Sequence, residues 1–330
     1  MTSQQTSQQP ATVPLSNQKI VVTGGAGFIG ANVVRTLLAA GATDITVLDD
    51  LSSGYQSNLD GVQHTWIEGS IVDANLVQQV CATADSIIHL GAQGSVALSV
   101  DDPAHTNAVN VTGTLNVLEA ARPNEHRARS AHVVLASSAA VYGPDPTLPK
   151  VETMATNAAS PYATSKIATE SYGLSYQAAF GVPVLAFRFF NVFGPFQPAQ
   201  HAYAPVIPAF IERAKSGRAL TVHGDGTQTR DFVFVQDVAD LIAAAISNGV
   251  TSTSPVNVAS GATNSLLDVI AELETQLAVT IARDHGPSRQ GDIPHSSAAV
   301  TQLQSLFPDQ NLTSFADGLA ATLSYWAELG

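Results

Sequence analysis

Tyr162 and Lys166 lie four residues apart, a spacing that puts both side chains on one face of a helix. Two hydroxyls, Ser137 and Ser138, close an apolar run that begins at His132. A free phenol keeps its proton up to a pKa of about 10. A neighbouring ammonium favours the phenolate. A phenolate beside a serine hydroxyl can take a proton from a substrate hydroxyl held by that serine. Tyr-x-x-x-Lys alone is common on ordinary helix surfaces, so its meaning depends on the elements around it.

Those elements begin with a nucleotide-binding pattern. Ile20-Val21-Val22-Thr23 is short and β-branched and breaks into Gly24-Gly25-Ala26-Gly27. A helical stretch from Phe28 to Ala40 stops at Gly41, and a second apolar run from Ile45 to Leu48 ends in Asp49. This order is strand, Gly-rich turn, helix, strand. Gly25-Ala26-Gly27-Phe28-Ile29-Gly30 fits G-x-G-x-x-G, and Gly24, Gly27 and Gly30 also fit the wider G-x-x-G-x-x-G. Glycines there allow a tight turn, close approach of a pyrophosphate to the backbone, and close packing of helix on strand. The helix start offers free N–H groups and the positive end of its dipole. Asp49 stands 19 residues after Gly30, where a carboxylate accepts from ribose hydroxyls and repels a 2′-phosphate. The pattern favours NAD over NADP. A positive nicotinamide ring beside Tyr162 would add to the pull toward phenolate.

Further strand-like runs at Ser86–Leu90, His132–Ala136 and Val182–Phe187 alternate with helical stretches such as Val109–Arg122 and Tyr162–Phe180. Such alternation indicates an α/β chain, a Rossmann-like doubly wound parallel sheet. After Asn191 the regularity stops, and Pro195, Pro198, Pro205 and Pro208 crowd a short stretch. The expected organisation is a tail over 1–17 and a nucleotide-binding domain over 18–190, to which 236–260 returns. A smaller, interleaved C-terminal substrate domain takes 191–235 and 261–330. Val256–Ala259 is expected to rejoin the sheet.

Composition narrows the partners. Lys and Arg number 14 against 27 Asp and Glu, a formal charge of −13, which disfavours nucleic acid and anionic lipid. The lone cysteine, Cys81, excludes an internal disulfide framework and reads as a small core residue. The histidines show no metal-ligand spacing, so no metal is expected. No apolar run approaches membrane-span length. The first 17 residues, rich in Gln, Ser and Thr, read as a disordered lead-in rather than a signal peptide, and a cytoplasmic location is the expectation.

From Lys19 nearly to the C-terminus the chain resembles the extended short-chain dehydrogenase/reductases, in particular the NAD-dependent sugar-nucleotide epimerase/dehydratase group. The resemblance is carried by TGGAGFIG at 23–30, HLGA at 89–92, NVTGTLNVLEAA at 110–121 and SSAAVYG at 137–143. It continues through SPYATSK at 160–166, RFFNVFGP at 188–195, GDGTQTRDFVFVQDV at 224–238 and RQGD at 289–292. It implies that Ser138, rather than Ser137, acts with Tyr162 and Lys166. It further implies cofactor contacts from Gly24, Gly27, Phe28, Ile29, Gly30, Asp49, Asp50, Ser52, Gly54, Ser70 and Ile71. Leu90, Gly91, Ala92, Gln93 and Asn110 would line the nicotinamide end, and Lys166 would also bind the nicotinamide ribose. Asn191, Arg230, Arg289 and Asp292 would bind a UDP-sugar. Two departures stand out: Ser70 replaces the usual adenine-holding aspartate, and Gly91 replaces alanine.

Within that group, dehydratases carry Asp-Glu just after the catalytic hydroxyl residue, and decarboxylases usually carry a Glu there. Here Ala139 and Ala140 occupy those positions, which disfavours elimination and leaves 4-epimerisation of a UDP-hexose as the expected reaction. The alternatives are another sugar-nucleotide-modifying enzyme of the group (a 4,6-dehydratase, a decarboxylase or a 4-keto reductase) and, in another class, a non-catalytic dinucleotide-binding regulator. Ser296 falls where related epimerases border the sugar's carbon-2 substituent, so the N-acetylated hexoses are expected to fit beside the plain ones. The resemblance also implies a homodimer through the helices at Val109–Arg122 and Tyr162–Phe180.

Overall fold

The structure is a computed structural model that describes residues 13–199, 205–287 and 293–328. Numbering only the strands of the main sheet, β1 is Lys19–Thr23, β2 Asp44–Asp49, β3 Thr65–Glu68, β4 Ser86–His89, β5 His132–Ser138, β6 Val184–Phe189 and β7 Val256–Val258. They form one parallel sheet in the order β7-β6-β5-β4-β1-β2-β3. The order reverses beside β1, and in such sheets the crevice beyond the strands' carboxyl ends is where ligands bind.

Strand alternation assigns each side chain to one of two cores. Ile20 and Val22 of β1, Val134 of β5 and Leu185 and Phe187 of β6 face one layer. That layer holds helix α1, Phe28–Ala39, and the helix Val235–Asn248. The intervening Val21, Val133, Leu135, Val184 and Ala186 face the other layer, with Val77, Val117, Leu118 and Tyr176. Cys81 lies in this second core, where burial pushes its thiol up to about 12, so it is packing rather than a nucleophile. A third core, around Phe193, Phe210, Phe232 and Ile270, lies under short two-stranded pieces. These pair Asn191–Phe193 with Phe232–Phe234, and Leu220–His223 with Arg283–Gly286.

Several elements differ from the sequence expectation. The disordered lead-in does not extend to residue 17: Leu15–Asn17 form a 3₁₀ turn, Leu15 is buried, and the Val13 N–H donates to the Ser247 carbonyl at 3.1 Å. Apolar anchoring by one leucine outweighs a polar composition. Strand β3 was not anticipated, since its Trp66 and Ile67 are only half-buried at the sheet edge. The sixth strand starts two residues later than expected because Pro183 has no N–H for the ladder. The helix expected over Val109–Arg122 is a π-turn, Ala108–Thr112, followed by an α-helix, Gly113–Ala120. Close packing accounts for Gly113: a Cβ there would meet Ile71 Cδ1 at 2.7 Å. Among the described residues no helix is long and apolar enough to cross a membrane.

Two buried histidines give the fold an acid-sensitive branch. Burial holds His89 at about 3 and His132 at about 4. Neither ring nitrogen of His132 finds a partner of normal hydrogen-bond geometry among the described residues. A histidine ordinarily titrates at about 6.5, so below that value the unfolded chain takes up protons that the folded chain refuses. Their contribution to stability therefore falls as pH drops from about 6.5 toward about 4. His132→Leu should flatten this branch: its urea midpoint should drop less between pH 7 and pH 5 than that of the unmodified chain.

Candidate functional site

Two clefts meet at the carboxyl edge of the sheet, and Ser138, Phe189 and Phe190 line both. The first runs over the Gly-rich turn. Gly24 takes φ +71°, open to glycine at little cost, and a Cβ there would sit 2.6 Å from the Gly91 nitrogen. At Gly30 a Cβ would lie 2.1 Å from the Gly24 carbonyl oxygen. The turn, the start of α1 and the chain leaving β4 are thereby pressed together. Gly27 caps α1 without a side-chain hydrogen bond, and the first turn carries no acid. The positive end of this helix is open to the cleft.

Asp49 is buried at the end of β2. Its Oδ2 accepts from the Ala26 N–H at 2.9 Å and its Oδ1 from the Leu51 N–H at 2.8 Å. Burial raises its pKa, and the two backbone donors oppose that rise. The carboxylate is thus held rigidly with lone pairs to spare for further donors.

At the other end of this cleft Tyr162 and Lys166 project from the helix Pro161–Phe180. Ser160 caps that helix, accepting from the Ala163 N–H at 3.1 Å, and Pro161 begins it. The Tyr162 N–H donates to Ser99 Oγ at 3.0 Å. Lys166 Nζ donates to the Ala136 carbonyl at 2.8 Å and lies 5.9 Å from the centre of the Tyr162 ring. Burial pushes the Tyr162 phenol above its ordinary value, and the hydrogen-bonding interaction with Ser138 lowers it in part. Burial also lowers Lys166 to about 8, against the pull of Glu170. Burial, not the neighbouring ammonium, thus dominates the Tyr162 phenol in the protein alone.

The two adjacent serines part company. Ser137 Oγ donates to Glu170 Oε1 at 2.5 Å and Ser137 lines the first cleft only, whereas Ser138 Oγ accepts from the Ala140 N–H at 3.2 Å and Ser138 lines both clefts. Strand alternation makes the difference.

Of the expected cofactor residues, Gly24, Gly27, Phe28, Ile29, Gly30, Asp49, Asp50, Ser52, Ile71, Leu90, Gly91 and Ala92 line the first cleft. Gly54, Ser70, Gln93 and Asn110 do not. Gly54 packs on the Gly-rich turn, where a Cβ would be 2.6 Å from the Ala26 carbonyl carbon. Ser70 Oγ accepts from the Val72 N–H at 3.3 Å. Asn110 is buried and shapes the wall from behind: its Oδ1 accepts from the Gln93 N–H at 2.7 Å and its Nδ2 donates to Ser165 Oγ at 2.8 Å. Of the expected substrate residues, Asn191, Arg230 and Ser296 line the second cleft, beside Ser138. Arg289 and Asp292 lie outside the described residues. His89 is a packed strand residue, bonded to Thr23 Oγ1 at 2.8 Å and Thr114 Oγ1 at 3.1 Å.

Sequence reasoning missed Gln197. It is buried in the first cleft's wall and donates to the Val192 carbonyl at 3.0 Å, while its Oε1 has no hydrogen-bond partner among the described residues. A buried amide oxygen without a partner is costly. The signal was available only as a polar residue within a Pro-rich stretch. Together with the glycine-pressed turn, the open helix end and Asp49, this orphaned acceptor fits a dinucleotide rich in hydroxyl and amide donors.

A parallel sheet wound on both faces, with a glycine-lined crevice and a Ser-Tyr-Lys group at its carboxyl edge, defines a dinucleotide-using α/β enzyme. The family model for the NAD dependent epimerase/dehydratase family matches residues 20–259, and the chain belongs to that family. It is 35% identical over 313 residues to a UDP-glucose 4-epimerase of Mycolicibacterium smegmatis, covering 93% of this chain and 98% of that one. Among solved structures it superposes with a TM-score of 0.89, at 31% identity, on the UDP-N-acetylglucosamine 4-epimerase from Methanobrevibacter ruminantium M1 in complex with UDP-N-acetylmuramic acid. That match covers 95% of this chain and 99% of the other. A UDP-N-acetyl-alpha-D-glucosaminuronate decarboxylase of Bacillus cytotoxicus is 29% identical over 326 residues, covering 94% and 98%. Relatives with more than one reaction thus share the scaffold.

The geometry at Asp49 makes a direct statement about the cofactor. A 2′-phosphate would bring negative charge against a carboxylate that cannot swing away from its two N–H partners. Titration should give tighter binding of NAD than of NADP, and Asp49→Asn should narrow the difference. Equal affinities in the unmodified protein would contradict this account.

Proposed function

We propose that the protein interconverts UDP-hexoses at carbon 4. The observation that carries this reading is the lining of the second cleft. Beside Ser138 it includes Val96, Ala139, Ala140, Gly143, Pro144, Ala159, Ser160 and Ala163 with Phe189, Phe190, Asn191, Arg230, Ile293 and Ser296, and no carboxylate is among the described lining residues. Dehydration or decarboxylation needs an acid or base near carbons 5 and 6 of the sugar. The stretch just after Ser138, Ala139 and Ala140, offers only methyl groups to this cleft. It suits a sugar that is oxidised at one carbon, turns over, and is reduced on its other face.

When bound, NAD supplies the redox chemistry, taking and returning the hydrogen of carbon 4. The chain's own groups manage the proton. Ser138 holds the sugar hydroxyl at the junction of the two clefts, and Tyr162 receives its proton and later returns it. Lys166, held by the Ala136 carbonyl, keeps a positive charge near the phenol. Arg230, whose Nη1 donates to the Thr229 carbonyl at 2.8 Å, lines the second cleft and is the cation suited to the diphosphate, and Asn191 lines the same cleft. The small side chains of the wall leave the keto sugar space to rotate.

Incubation of the purified protein with a panel of UDP-sugars, read for the 4-epimers, tests the reaction; dehydrated or decarboxylated products would refute it. Tyr162→Phe keeps the ring and should keep the fold while lowering turnover by about two to four orders of magnitude. Near-normal turnover in that variant would remove Tyr162 from its role. Ser296 borders the cleft with a small side chain, so the enzyme should act on UDP-glucose and UDP-galactose and also on the N-acetylated pair. Ser296→Tyr should lose the N-acetylated substrates and retain the plain ones, because steric overlap excludes far more strongly than a void attracts. Chromatographic separation of the epimers decides it.

A further inference from the structure

Three successive turns of the helix Pro161–Phe180 are joined to three successive residues of β5. Tyr162 interacts with Ser138, Lys166 Nζ donates to the Ala136 carbonyl at 2.8 Å, and Glu170 Oε1 accepts from Ser137 Oγ at 2.5 Å. Residues 162, 166 and 170 follow the i, i+4, i+8 line of one helix face. Glu170 is buried, and Arg188 of β6 holds it in a fork: Nε to Oε1 at 2.8 Å and Nη2 to Oε2 at 2.8 Å. Arg188 in turn lies 4.8 Å from the centre of the Tyr142 ring and donates to the Glu152 carbonyl at 3.3 Å.

We propose that Glu170 is a positioning residue of the active site. Through Ser137 it sets the register of the helix on β5 that brings Tyr162 opposite Ser138, and through its charge it sustains the ammonium of Lys166. The proposal rests on the reading of Tyr162 and Lys166 as the catalytic pair. A buried ion pair adds little net stability over an apolar pair of the same volume. A carboxylate one turn from Lys166 has a direct electrostatic effect. The other groups facing Lys166 do not supply it. Tyr162 on the same helix is a neutral phenol held above its ordinary value, and His89 of β4 is kept neutral by burial and by Lys166 itself. The Ala136 carbonyl of β5 accepts the bond, and Arg188, being a cation, can only oppose the ammonium, so Glu170 is the charge that favours it. Burial already holds Lys166 at about 8 with Glu170 opposing it. Without Glu170, burial acts unopposed and the ammonium is lost at lower pH.

The test uses the full chain, with the ε-methylenes of its four lysines labelled for NMR titration. Glu170→Gln combined with Arg188→Met removes both buried charges together, so neither is left unpaired. The Lys166 midpoint should fall by about one pH unit, and the alkaline limb of turnover should move down with it. Ser137→Ala keeps both charges. It should leave the Lys166 midpoint in place, leave KM unchanged and lower kcat by about tenfold, the scale of a sub-ångström loss of alignment. An unmoved Lys166 midpoint in the double variant, or normal kcat in Ser137→Ala, overturns the proposal, and the second result decides it even if the double variant fails to fold. Tyr162→Phe is measured in parallel. If it retains turnover, the catalytic reading falls and the proposal with it; if it is inactive while the midpoint is unmoved, only the positioning role falls.

Discussion

The close approach of three backbones at Gly24 and Gly30 is the constraint on which the site depends. A Cβ at either position would overlap main-chain atoms, at 2.6 Å from the Gly91 nitrogen and 2.1 Å from the Gly24 carbonyl oxygen. Because nothing larger fits, α1 starts directly beneath the turn with no capping side chain. Its first N–H groups are therefore directed at the crevice instead of being satisfied within the protein. The same approach places the exit of β4, from Leu90 to Ala92, along the opposite wall. Asp49, tied to Ala26 and Leu51, then fixes the far end of the crevice at a set distance from that helix start.

Desolvation governs the other end. Tyr162 is raised, Lys166 is lowered to about 8 and His89 to about 3, all with burial as the largest cause. Each shift favours the neutral form. A site of this kind is poor at generating charge alone, yet any charge brought into it acts over a longer range than in water. On the proposed reading, removing a proton from a sugar hydroxyl in the crevice depends on the few fixed charges around it. That gives the ammonium of Lys166, and whatever sustains it, a large share in setting the pH range of the reaction.

The parallel wound sheet and the glycine turn could be read from the chain because both rest on strong local signals: β-branched runs, glycine spacing and an acid at a strand end. Ser138, Tyr162 and Lys166 were legible as residue types, but the choice between Ser137 and Ser138 needed register, which the bare run of hydroxyls does not reveal. In the structure Ser137 bonds Glu170 and lines only the first cleft, while Ser138 lines both clefts. Asn110 was expected to line the nicotinamide end; in the structure it is buried and holds Gln93 from behind. Gln197 had no periodicity or motif to reveal it, and its importance follows only from burial without a partner. The edge strand β3 and the anchored Leu15 were missed for a related reason: each depends on tertiary contact with a surface formed by distant parts of the chain.

The scaffold itself does not choose the reaction, since relatives with different reactions superpose or align over nearly the whole length. What can choose it is the short stretch just after β5. Ala139–Tyr142 form a 3₁₀ turn whose start is held by Ser138 Oγ, so the side chains of residues 139 and 140 are presented to the sugar cleft by backbone geometry alone. An acid at either place would meet a bound sugar with no change to the fold. On the proposed reading, alanine at both leaves Tyr162 as the proton acceptor at the junction and restricts the chemistry to the hydroxyl it can reach. Selection by omission costs no stability, because a methyl group on this turn buries no polar atom and asks for no partner.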